Sequence, residues 1–167
     1  MAVKATIEAR VKTRQTAEDD FSAGVFNPVL ETIINLSDGT GANNADLLFA
    51  DTRTLAASAT EDLDLAGELS DAFGATITMA EVVAIYVSAA SGNTNDVVLG
   101  DATAPIPLFG GTNPTISVKP GGVFLIAAPN AAGQLTVGAG STDDLKVANS
   151  SSGTSVTYTI AILARST

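Results

Sequence analysis

Six short apolar runs in the second half of the chain, each closed by turn residues, leave little room for anything but strands. They are Val97-Val98-Leu99, Ile116-Ser117-Val118, Val123-Phe124-Leu125-Ile126, Leu135-Thr136-Val137, Leu145-Lys146-Val147 and Val156 to Leu163. Between them stand Pro120-Gly121-Gly122, Ala132-Gly133, Gly138-Ala139-Gly140 and Ser150 to Gly153, the first and third of which read as hairpin connections. Strands at intervals of about 8–12 residues with this punctuation predict an antiparallel sandwich or barrel. No segment here has the length for a strand–helix–strand crossover, and no repeat marks a propeller or solenoid.

The first half extends the pattern. Val3, Ala5, Ile7, Ala9 and Val11 alternate with Lys4, Thr6, Glu8, Arg10 and Lys12, the period of a strand with one apolar and one wet face. Residues 13–28 hold no period and read as a linker, so residues 1–28 are expected to form a basic strand and linker arm ahead of a β-sandwich domain at 29–167. Val29 to Leu36 reads as a strand closed by the turn-forming stretch Ser37 to Asn44. Thr52 to Leu65 is strand-like but polar along one side. Ala75 to Ala89 is the strongest segment, with Ile77, Met79, Val83, Ile85 and Val87 on one face, and a helix from Met79 is its competitor. Glu81 falls on that apolar face, where an unpaired carboxylate is costly. It must pair, reach solvent or mark a bulge, and Arg53, one of four basic residues beyond position 14, is the expected partner.

Composition bears on function by exclusion. The chain of 167 residues has no histidine and no cysteine, which removes the usual general base, the common nucleophile systems and ordinary zinc ligation. An enzyme is not expected, and no catalytic, cofactor-binding or metal-binding residue is assigned. Glu61, Asp62 and Asp64 form an acidic group, as do Glu18, Asp19 and Asp20; each reads as a solvated face. A sugar-cleaving pair is the sharper alternative for the first group, but the absence of Trp leaves few platforms for a sugar ring. The loop from Asp38 to Asp46 offers oxygen ligands for a cation without the spacing of an EF-hand, and reads as a turn.

A net charge of −10 argues against nucleic acid as a partner, and no run of about 18 apolar residues suggests a membrane span. The charge is uneven. Lys4, Arg10, Lys12 and Arg14 face Glu8 alone in the first fourteen residues, so a basic leader precedes an acidic body. These four residues are the candidate partner-binding group. The leading strand is expected to add to a neighbouring chain, with an ordinary edge strand as the alternative, and removal of residues 1–14 is expected to leave the body nearly as stable.

The blocks Ala45-Asp46-Leu47-Leu48-Phe49 through Thr52-Arg53-Thr54-Leu55, Glu61 to Leu65, Lys119 to Leu125, and Lys146-Val147-Ala148-Asn149 leading into Thr154 to Ile162 occur in an order that resembles small structural proteins of tailed bacteriophages. The likeness is to the head decoration, or cement, proteins, and covers roughly residues 30–165. It implies a jelly-roll-like sandwich on the outer capsid surface, made in the host cytoplasm. The major capsid protein shell is then the partner, and self-association as a homotrimer is expected. A phage tail or fibre component and a carbohydrate-binding or glycoside-cleaving sandwich are the competing readings.

Overall fold

The computed structural model describes residues 2–18, 20–109 and 114–167, and every regular element among them is a strand. The body is a β-sandwich of a five-stranded and a four-stranded sheet. The first has the order β10 (Val123–Ala127), β7 (Glu81–Ala89), β13 (Val156–Arg165), β5 (Leu47–Leu55), with the short β11 (Leu135–Thr136) also on β7. The second has the order β6 (Thr60–Asp64), β12 (Asp144–Asn149), β8 (Val97–Gly100), β9 (Thr115–Val118). The pairing is nested: β5 lies beside β13, β6 beside β12, β7 beside β10 and β8 beside β9, all antiparallel. The outgoing chain from β5 to β8 is thus matched strand by strand with the returning chain.

Alternation explains the core. Val156, Tyr158, Ile160 and Ile162 of β13 are buried and meet Ile85 and Val87 of β7, while Leu145 and Val147 of β12 and Val97 and Leu99 of β8 fill the space from the other sheet. Each side chain of this kind contributes about 1.5–3 kcal/mol when fully buried. Branched aliphatic residues supply nearly all of it, as expected of a sandwich about 10 Å thick.

Several expectations change. The segment Thr52 to Leu65 is not one strand: Ser58 adopts φ 57° in a turn closed by the Ala59 amide donating to the Ala56 carbonyl, and β5 and β6 on either side of it join different sheets. Lys119 to Gly122 and Gly138 to Gly140 also pass between the sheets and are not hairpin connections within one. Residues 75–80 lie outside any strand, although the Ile77 and Met79 amides donate to the Leu69 and Leu65 carbonyls and both side chains are buried. No helix forms at Met79.

Val83 is not in phase with Ile85. Leu163 pairs with Ala84 but Ala164 with Val82, so Val83 is the extra residue of a β-bulge, and Val82 joins the core in its place. The bulge turns Glu81 away from the core. Its partner is Arg165, directly opposite it on β13 and 2.9 Å away; Arg53 instead pairs with Glu61 at 2.7 Å and Asp51 at 3.0 Å. Gly133 (φ 62°) closes over the same place, where a Cβ would stand 2.6 Å from the Val82 carbonyl oxygen.

The N-terminal region is a ribbon. β1 (Ala5–Lys12) pairs with β4 (Val29–Leu36), and β2 (Gln15–Glu18) with β3 (Ala23–Phe26), in a common register bridged by the Thr13 amide donating to the Pro28 carbonyl. Residues 13–28 are therefore the outer half of one long hairpin, not a linker, and the expected boundary at residue 28 divides paired strands. The leading strand pairs within its own chain. Val3 and Leu36 are buried and Ala5, Ile7 and Ile34 half-buried in a second small core with Ala45, Val83, Ala84 and Leu163. Removing residues 1–14 would empty that core and leave β4 unpaired, so it would destabilise the body.

Candidate functional site

Two places gather functional groups: the ribbon, and an acidic edge where β5 meets β6. Side chains on neighbouring strand residues point to opposite sides, and this decides the acidic group. Glu61 points inward, with one carboxylate oxygen bonded to Arg53 and the other accepting the Tyr158 hydroxyl at 2.7 Å. Burial first, then the Glu61 carboxylate, hold the Tyr158 phenol well above its ordinary range, so it stays a donor. Asp62 and Asp64 project from the outer face of the second sheet, where Asp62 stands opposite Lys146 and Asp64 opposite Asp144. The three acids of residues 61–64 are thus split between two faces. A cleft of about 310 Å³ lies beside them, bordered by Asp51, Arg53, Asp64 and Glu68 among others.

Asp144 bears the cost of this crowding. Burial first, then Asp143, Asp62 and Asp64, raise its pKa, against a bond from the Ala104 amide. A carboxyl whose folded pKa is raised stabilises the fold while protonated and loses that contribution as pH rises through the folded value. Asp144→Asn is therefore expected to raise the melting temperature at pH 7 by about 1–2 °C, on the scale of a surface substitution. The gain should vanish in acid, below the ordinary aspartate pKa, and a melting series from pH 3 to pH 7 checks it.

The loop from Asp38 to Asp46 is bound into the fold. Asp38 accepts the Val3 amide at 2.9 Å, Asp46 accepts the Ser166 amide at 2.9 Å, and the Asn44 carbonyl accepts from Arg165. Among the described residues no group of three or more potential ligands is placed to hold a metal ion.

The ribbon carries the candidate partner-binding residues. Fourteen residues of β1–β2 at about 3.3 Å each give it a length of roughly 45 Å, and every described residue from Ala9 to Ile33 except Pro28 is exposed. Arg10 and Lys12 share one side, which Arg14 continues two residues on; Arg10 pairs with Glu31 at 3.4 Å. Lys4 lies apart from them at the base, beside Asn35 and Leu36. Across the ribbon from Lys12 stands Val29, from Arg10 Glu31 and from Glu8 Ile33, so this side mixes basic, acidic and apolar residues, with Lys12 and Arg14 toward its outer end.

The opposite side is apolar at its centre. Val11 faces Leu30, and Gln15 faces Phe26, with exposures of 55%, 69% and 64% for Val11, Leu30 and Phe26. Phe21 stands at the tip, 98% exposed beside Asp20; Asp19 lies outside the described residues. Sequence reasoning missed these apolar residues as a surface. The available signal was the presence of Phe21 and Phe26 in a stretch with no strand period, in a chain with only six Phe.

No family model matches the chain, and no curated protein or solved structure matches it either.

Proposed function

We propose that the chain is a structural protein of a virus particle, docked on the outer surface of the capsid shell and gripping a neighbouring subunit with its ribbon. One observation carries this reading: a ribbon of roughly 45 Å holds Phe21, Phe26, Leu30 and Val11 largely exposed to solvent. An isolated two-stranded hairpin is marginal in water, and exposed aromatic residues of this kind become the anchors of interfaces. Arg10, Lys12 and Arg14 add steering toward an acidic partner.

The sandwich supports the reading at the level of fold. Its nested strand order is consistent with a jelly roll, an architecture found in viral capsid domains and in lectins. Fold alone does not select between those uses. The ribbon supports the first use, because it supplies reach and anchors without a sugar platform.

Cosedimentation with purified capsids tests it. The intact chain should pellet with shells, and Phe21→Ser should weaken binding by about 30-fold, the equivalent of a 2 kcal/mol anchor. Lys12→Glu with Arg14→Glu should weaken it in a salt-sensitive manner. Failure to pellet, or binding indifferent to all three substitutions, would overturn the proposal; recovery on tails would move the protein to that part of the particle.

A further inference from the structure

The two outer faces of the sandwich differ in charge. On the second sheet Asp62, Asp64, Asp144 and Lys146 project outward. On the first sheet Leu125, Tyr86, Ala161 and Ala50 stand in register across β10, β7, β13 and β5. The rows on either side of them add only Val, Leu, Ala, Ser and Thr, including the pairs Thr52–Thr159 and Thr54–Thr157 joined through their hydroxyls at 3.0 and 2.9 Å. Between Leu48 and Thr54, Ala84 and Ser88, Val123 and Ala127, and Thr157 and Leu163, the only ionisable group on that side is the Tyr86 phenol. In a chain of net charge −10 this face is an exception.

The ribbon leaves the body along this face. Its base and the sheet enclose an apolar cleft of about 250 Å³ lined by Ile7, Tyr86, Leu125, Ala161 and Leu163, among others. Beyond Glu8 the ribbon's apolar side continues outward through Val11 and Leu30, both exposed.

We propose that the neutral sheet face is covered by the ribbon of a second copy, exchanged reciprocally in a two-fold pair, so that Val11, Leu30 and Phe26 of each copy lie on Tyr86, Leu125 and Ala161 of the other. Charge selects the second copy as occupant. Two acidic chains repel over most of their surfaces, and the neutral face is where they meet without bringing carboxylates together. The ribbon's basic residues meanwhile stay on its other side.

Area selects the two-fold form. The uncovered ribbon is roughly 33 Å long and about 10 Å wide, so one ribbon on one sheet buries on the order of 660 Å² over both partners. That falls short of the ~1,000 Å² a specific interface needs. Reciprocal exchange doubles it to about 1,300 Å², within the standard range. A three-copy ring, the form the bacteriophage likeness implies, would leave each contact at the smaller value. In this pair Val11, Leu30 and Phe26 are covered by the second copy, and Phe21 at the tip with Arg10, Lys12 and Arg14 on the ribbon's other side remain for the shell; the inference goes beyond shell attachment and its test contains no shell, so either reading can fail without the other.

The absence of cysteine makes the test direct. Leu30→Cys and Ala161→Cys chains, mixed and oxidised, should form a covalent pair in high yield, with far less from either chain alone. Sedimentation velocity of the unmodified protein at tens of micromolar should show a two-copy species, and Ala161→Arg should convert it to one copy with an unchanged circular dichroism spectrum. A strictly single-copy protein, a three-copy species, or cross-linking confined to Leu30→Cys with itself would each overturn the proposal.

Discussion

Replacing Arg165 by alanine is expected to cost about 3–5 kcal/mol, the range for breaking a buried ion pair from one side. For a chain of this size the melting temperature should fall by roughly 6–20 °C. The Arg165 side chain is fully buried at the end of β13. Its Nη1 donates to the Glu81 carboxylate at 2.9 Å and the Ala131 carbonyl at 3.0 Å, its Nη2 to the Asn130 carbonyl at 2.8 Å, and its Nε to the Asn44 carbonyl at 3.0 Å. One guanidinium thus ties the bulged start of β7 to the loops at residues 44 and 129–131. Truncation strands a carboxylate and three carbonyls at once, each of which then carries a desolvation penalty. Lys119→Ala provides the contrast: Lys119 reaches Asp96 at 2.5 Å from an exposed position, and such surface pairs contribute about 0–1 kcal/mol. Urea unfolding of both variants measures the difference. If Arg165→Ala and Lys119→Ala unfold at the same denaturant concentration, Arg165 is not the node described.

Excising residues 9–32 and joining Glu8 to Ile33 through Asn-Gly is expected to abolish shell binding and self-association while moving the melting temperature by no more than about 2 °C. Glu8 and Ile33 face each other across the ribbon, so a two-residue turn can close it there. Every described residue removed is exposed except Pro28, which is half-buried, and the second core at the base stays intact. Surface changes of this kind lie within about 0.5 kcal/mol. Deletion of residues 2–14 should behave in the opposite way, because buried Val3 and half-buried Ile7 leave the second core, and a fully buried side chain of this kind contributes about 1.5–3 kcal/mol. Calorimetry and capsid cosedimentation on the two deletions separate the effects. A short-ribbon protein that still pellets with shells would remove the ribbon from attachment.

The strand content was legible in sequence because alternation and turn residues are local. Val97 to Leu99, Val123 to Ile126 and Val156 to Leu163 each lie within a strand of the sandwich, and Ala5, Ile7, Ala9 and Val11 fall on one side of β1. Period two reports which residues share a face whatever the strand pairs with. The four basic residues of the leader were legible as a group for the same reason, and three of them follow one another along one side of the ribbon.

What the sequence left open was pairing. The leading strand looked free to join a neighbour because its partner, β4, lies beyond a stretch with no period; the shared register shows that stretch to be the hairpin's exposed end, where neither side is buried and no alternation is imposed. Glu81 was readable as a conflict, but not its answer, since Arg165 is 84 residues away and the bulge at Val83 shifts the phase only in the presence of β13. The neutral sheet face is likewise invisible in sequence. Leu125, Tyr86, Ala161 and Ala50 come from four separate strands, and only the antiparallel registers place them in one row. Local alternation settled which side chains face together along each strand, and tertiary pairing decided which strands lie side by side, because register depends on contacts between residues far apart in the chain.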